Sequence, residues 1–133
     1  MTAVVDTHAL LWWLSAPDSL STQAAECFKS WESGSGEALI CGVSLWELED
    51  KRLRGKLELQ SSVRTWLPEI AEIPWMRLLE TTPEIWLEAA GLDWQHRDPA
   101  DRIIAATGLG HSVPILTKDR RFHETDSPVM AIW

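Results

Sequence analysis

The chain opens on an apolar run, residues 3–6 ("AVVD"), that lacks polar alternation. Such a run predicts a strand buried on both faces, as in a parallel sheet. Helical signals follow through Leu14, until Pro17 and Asp18 break the chain. A second helix is predicted over about 21–32, ended by "SGSG", and "ALIC" at 38–41 predicts a second strand. Ser44 then opens "SLWELEDKRLRG", a helix that Gly55 closes. Another helix is expected over about 60–72, and Pro74 precedes a strand near 76–79. "TTPEIWLEAAGL" begins with Thr82 as N-cap and Pro83 at the first helical position, and "DPADRIIAATGLG" repeats the device with Asp98 and Pro99. A strand over 113–117, a short turn or helix after Asp119 and a last strand in "PVMAIW" complete the series. The alternation predicts an α/β fold: a mostly parallel central sheet with helices on both faces, in one domain spanning 1–133. In such folds function collects outside the carboxyl ends of the strands. The pattern puts Asp6 and Asp119 there.

Composition narrows the possibilities. The chain of 133 residues is long enough to bury a real core. No run approaches the roughly 18 apolar residues of a membrane span, and "AVVD" is entered without a basic leader, so a cytoplasmic protein is expected. Cys27 and Cys41 are then expected as reduced thiols. A net charge of −8 argues against binding nucleic acid by bulk attraction. It leaves open an enzyme that grips phosphates through metal ions held by clustered acids. The nine tryptophans, with no tyrosine, are assigned to core and oligomer interface rather than base stacking.

Each candidate acid has an ordinary alternative. Asp6 can cap the helix that follows it, and Asp119 can be a solvated turn residue paired with a neighbouring base. Asp98 reads as an N-cap. Asp101, at the third helical position, shares a face with Ile104 and Ala105, and a carboxylate tilted toward apolar neighbours needs a partner or a metal. Ser44 and Glu47 fit a capping box. On a helical wheel Leu45, Trp46, Leu48 and Leu53 surround Glu49, so periodicity selects Glu49 as the buried acid. Position selects Glu47, because the first turn of a helix lies nearest the strand ends. Position decides that choice, and convergence carries the argument for a shared site: two acids follow strands and two are expected in first turns, all along one edge of the sheet. Carboxylates sharing a pocket repel one another unless a cation neutralises them. Oxygen ligands without a cysteine or histidine cluster suit Mg²⁺ or Mn²⁺. His8, His96, His111 and His123 have no zinc-type spacing, though His8 is close enough to Asp6 to reach the site. There is no Walker loop, no G-x-G-x-x-G and no G-x-S-x-G.

"VVDTHALLWWL", "SLWELEDKRLRGKL", "HRDPADRIIAATGL" and "ILTKD", in that order, resemble a PIN-domain ribonuclease of the kind that serves as toxin in bacterial toxin–antitoxin pairs. The resemblance spans nearly the whole chain. It implies metal-dependent cleavage of RNA by Asp6, Glu47, Asp101 and Asp119, in a homodimer held by a cognate protein antitoxin. It implies Glu47 over Glu49, and it matches Thr117 to a hydroxyl position beside the last acid. "LEDK" departs from the pattern by adding Glu49 and Asp50. In that chemistry Asp6 and Asp101 are the main metal ligands, and Asp119 and Glu47 complete the shell or orient the attacking water. Lys118, Arg120 and Arg121 are candidates for the RNA backbone. Two rivals remain. One is a receiver-like module with an acidic Mg²⁺ pocket, in which Lys118 takes the late lysine's part. The other is a catalytically silent PIN-like interaction domain.

Overall fold

The computed structural model describes residues 1–133. Five strands, β1 (Ala3–Val5), β2 (Ala38–Cys41), β3 (Met76–Leu79), β4 (Ile115–Leu116) and β5 (Ala131–Ile132), form one sheet in the order β3-β2-β1-β4-β5. Every pairing is parallel. Seven α-helices connect them: α1 (Thr7–Ser15), α2 (Thr22–Glu32), α3 (Gly42–Leu53), α4 (Trp66–Ala71), α5 (Pro83–Gly91), α6 (Pro99–His111) and α7 (Arg120–His123). This is the alternation that the hydrophobic pattern predicts.

The pleat divides the core into two. Ala3, Val5, Ala38, Ile40 and Leu116 face one side, where they pack with Leu10 of α1, Phe28 and Trp31 of α2, Leu48 of α3 and Ile70 of α4. Val4, Leu39, Cys41 and Ile115 face the other, against Ile104 and Ala105 of α6 and Trp94. Central β1 is solvent-free along its length. Cys27 and Cys41 are both free and lie in different halves of the core, so the sheet keeps the two thiols apart. Trp13, Phe28, Trp31 and Trp75 stack together in the first half. Trp46 and Trp86 are instead on the surface.

Four elements differ from expectation. The helix expected over 60–72 becomes a 3₁₀ turn at Val63–Thr65 followed by α4. Pro68 explains this: proline has no N–H to donate, so it is tolerated only in a first turn, and the helix starts just ahead of it. The strands expected over 113–117 and within "PVMAIW" shorten to two residues each. Thr117 still continues the ladder with one bond from its N–H to Ile132 O. The helix expected to open at Ser44 begins at Gly42, with Cys41 at its cap position, so the capping box of Ser44 and Glu47 is not formed.

Arg102 organises the approach to the sheet edge. It is buried in α6, and its guanidinium donates to the carbonyls of Ala89, Ala90, Leu92, Trp94 and His96. These include the end of α5 and the irregular segment 92–98, whose carbonyls have no helix or strand to satisfy them. Arg102→Met is expected to lower stability by on the order of 3 kcal/mol, because buried carbonyls lose charged donors. Hydrogen exchange at 92–98 should speed up more than exchange in β1. A melting temperature within a degree of wild type would refute this role.

Candidate active site

The order β3-β2-β1-β4-β5 reverses direction between β1 and β4, and a doubly wound sheet opens its crevice at such a switch point. Asp6 leaves β1 there and Thr117 leaves β4. The Thr117 hydroxyl, fully buried, donates to Asp6 Oδ2 at 2.6 Å and accepts from Asp119 N–H at 3.0 Å. Asp6 Oδ1 accepts from Thr7 N–H at 2.7 Å and so caps α1. Asp119 likewise caps α7, accepting from Arg121 N–H at 3.0 Å. Cap and site are one role for both acids.

The remaining acids come from helices. Glu47 is the sixth residue of α3, not a first-turn residue. It reaches the crevice because Thr7 Oγ1 lies 2.5 Å from its Oε1 and 3.0 Å from Ser44 Oγ, tying α3 to α1. Glu49 points elsewhere, to Arg52 and the Ser62 hydroxyl, and those bonds hold its carboxyl below the usual range. The wheel misled because Trp46 and Leu53, half of the apolar arc around Glu49, are exposed. From α6, Asp98 caps the helix by accepting Asp101 N–H at 2.9 Å, as its sequence context predicts.

Asp6, Glu47, Asp98, Asp101 and Asp119 line one open cavity of about 430 Å³, together with His8, Lys51, Lys56 and Arg121. The four acids singled out in the sequence are therefore brought together, and Asp98 joins them. Burial pushes Asp101 up to about 7, against the opposing effect of its bond with His96. Burial also raises Glu47, only partly countered by the Thr7 hydroxyl. At Asp119 burial is outweighed by hydrogen bonds from Arg121, and its carboxyl stays below the usual range. His8 Nδ1 lies 3.4 Å from Asp6 Oδ2, and its Nε2 accepts from Lys118 N–H, while burial lowers its basicity.

Thr117, Lys118 and Arg120 do not line the cavity. Thr117 is buried with its hydroxyl committed to Asp6 and Asp119, so it orders acids instead of facing solvent. Lys118 is exposed, with Nζ 5.4 Å from the centre of the Trp12 ring. Arg120 is exposed and does not line the cavity, whereas its neighbour Arg121 does. Sequence reasoning missed His96, whose Nε2 is 2.5 Å from Asp101 Oδ2. It also passed over Lys51 and Lys56, which follow Glu47 at four and nine residues and supply cations to an acidic cavity.

In a doubly wound sheet the crevice at the switch point is where ligands bind, and here it is lined by acids. The PIN domain family model matches residues 3–128, and the chain belongs to that family. It is 31% identical over 135 residues to Ribonuclease VapC22 of Mycobacterium tuberculosis (strain ATCC 25618 / H37Rv), covering 99% of this chain and 98% of that one. Solved structures with the same fold include a toxin-antitoxin complex from Klebsiella pneumoniae, with a TM-score of 0.64 at 16% identity over 98% of this chain and 96% of that chain. VapBC2 from Rickettsia felis, bound to a promoter DNA fragment, reaches 0.69 at 11% identity, with coverage of 99% and 98%. No helix is long and apolar enough to cross a membrane.

The raised Asp101 contributes to the pH dependence of the metal-free fold, in the same sense as the raised Glu47. An unfolded aspartate titrates near 4, and Asp101 in the fold titrates at about 7. Between those values the native state binds more protons, so stability falls as pH rises, and the full cost is present above pH 7. EDTA-treated wild type is expected to melt several degrees lower at pH 8 than at pH 5. Asp101→Asn, which keeps the fold but removes the charge, should flatten that slope. Asp98→Ala should keep the slope and lose on the order of 1 kcal/mol through its cap. Equal slopes for wild type and Asp101→Asn would refute the assignment.

Proposed function

We propose that this PIN-domain chain is a divalent-metal-dependent endoribonuclease and the toxin of a toxin–antitoxin pair. The carrying observation is the convergence of Asp6, Glu47, Asp101 and Asp119 on one open cavity at the sheet's switch point. Similarity to a named VapC ribonuclease along nearly the whole chain supports RNA as the substrate. The fold neighbours solved as toxin–antitoxin complexes support a cognate protein antitoxin as partner. A homodimer acting in the cytoplasm fits the same reading.

The donor set suits Mg²⁺ or Mn²⁺, since it is dominated by carboxylate oxygens. Burial of Asp101 and Glu47 without a lysine or arginine hydrogen-bonded to either leaves a demand for positive charge. Asp6 and Asp101 would hold the ion, with Asp119 completing the shell. When bound, such an ion stabilises charge on phosphate oxygens and lowers the pKa of a coordinated water. Asp119 stays ionised under Arg121 and serves as an obligate anion. Glu47, its carboxyl raised by burial, orients the attacking water and is suited to take up its proton. Lys51, Lys56 and Arg121 meet the phosphate backbone from the cavity wall.

Purified protein offered a total RNA pool should cleave with Mg²⁺ or Mn²⁺ and stop in EDTA. Asp6→Asn should fall to the EDTA background, and equal cleavage by it would expose a contaminating nuclease. Glu47→Gln should lose activity and Glu49→Gln should largely keep it, and the reverse would assign the glutamate wrongly. Expressed alone, the wild type should arrest bacterial growth by blocking translation. Normal growth at a confirmed level of folded protein would count against a toxin.

A further inference from the structure

His96 is held from four directions. Arg102 Nη1 binds its carbonyl at 2.9 Å, and the Trp94 ring packs edge-on at 4.9 Å. Arg121 Nη1 lies 3.3 Å from its Nδ1, and Asp101 Oδ2 lies 2.5 Å from its Nε2. A guanidinium can only donate, so Nδ1 is an acceptor and carries no proton. In the ionised site Nε2 then carries the proton and donates to Asp101. No buried side-chain polar atom in the chain lacks a partner. Asp101 Oδ1 has no protein donor, so it is the oxygen that opens on the cavity.

We propose that His96 is a positioning residue for the cation site, whose Nε2–H fixes Asp101 so that one carboxylate oxygen is presented to the ion. This rests on the reading of the cavity as a divalent-cation site. Carboxylate ligands held by such outer partners bind metal more tightly, because less side-chain freedom is lost on binding. His96 and Asp98 do have ligand atoms close enough to Asp101 to share a cation. Yet both imidazole nitrogens are engaged, and a cation at Nδ1 would sit against the Arg121 guanidinium. Positioning, not direct ligation, is what this geometry allows. Segment 92–98 is irregular, so Arg102 and Trp94 supply the rigidity that helix or strand would otherwise give.

The test reads Mn²⁺ binding to the full chain by electron paramagnetic resonance, without RNA. His96→Phe keeps the ring against Trp94 but has no donor, and His96→Gln restores an N–H near Nε2. The Phe variant is expected to bind Mn²⁺ about 10–100-fold more weakly, and the Gln variant to recover most of the affinity. With RNA, kcat should fall in His96→Phe while KM is unchanged. If melts show His96→Phe unfolded, His96→Asn, whose shorter amide stops short of Asp101, carries the comparison. Wild-type affinity in the donor-free variant, or a Gln variant as weak as it, overturns the proposal. A directly bonded nitrogen coupling to Mn²⁺ in ¹⁵N-histidine protein that is lost in His96→Gln also overturns it. No Mn²⁺ binding by wild type would overturn the cation reading itself, whereas equal binding by wild type and His96→Phe would overturn only the role of His96.

Discussion

Mutual repulsion of carboxylates is the constraint on which the rest of the site depends. Two such charges 4 Å apart at an effective dielectric of 20 cost about 4 kcal/mol, and five of them share this cavity. The fold answers with a donor for each of four acids: Thr117 for Asp6, Thr7 for Glu47, His96 for Asp101 and Arg121 for Asp119. A hydrogen bond to a charged group contributes about 1.5–3 kcal/mol, which does not cancel repulsion among several neighbours. Burial raises the carboxyls of Asp101 and Glu47, and the neighbouring acids add to that cost. Three of the four donors are neutral, so they order the acids without adding positive charge to the cavity.

The donors also knit the layers together. Thr117 and Asp6 join the ends of β4 and β1, and Thr7, Ser44 and Glu47 join α1 to α3. His96 joins the loop before α6 to the first turn of α6, under the control of Arg102. Three of the acids double as N-caps, for α1, α6 and α7. The helix N-terminus favours the ionised form, so capping and site formation pull in the same direction. An aspartate placed where a parallel strand gives way to a helix satisfies the backbone and faces the crevice at once.

That double use explains why the site was partly legible in the sequence. Asp6, Asp101 and Asp119 could be placed because strand ends and the Asp–Pro helix start carry strong local signals, and the strand–helix order followed from hydrophobic pattern alone. Glu47 was placed by a position argument whose premise fails, since α3 starts at Gly42 and the residue sits in the second turn. What holds Glu47 is a contact between residues 40 apart in sequence, and no local pattern encodes that. His96 and Arg102 were invisible for the same kind of reason. Their partners lie in irregular backbone, and a histidine five residues before an aspartate has no spacing that marks a pair. Arg102 has a faint signal, being an arginine on the apolar side of a helix. Burying it needs several carbonyl acceptors, so a loop folded over it could have been anticipated.

The charge balance of the cavity reconciles an acidic protein with the proposed RNA substrate. Five carboxylates face three cations, Lys51, Lys56 and Arg121, so the metal-free cavity is negative, as the whole chain is. A phosphate entering it would meet repulsion at short range, where the local groups outweigh the distant surface charge that salt screens. One divalent ion brings those groups to neutrality and a second makes them positive. On the proposed reading the metal therefore does more than activate water: one ion cancels the field that the substrate meets, and a second reverses it. This separates the present site from proteins that recruit nucleic acid through basic surfaces. Attraction here is created at the reacting phosphate itself, and a chain with net charge −8 loses nothing by being acidic elsewhere.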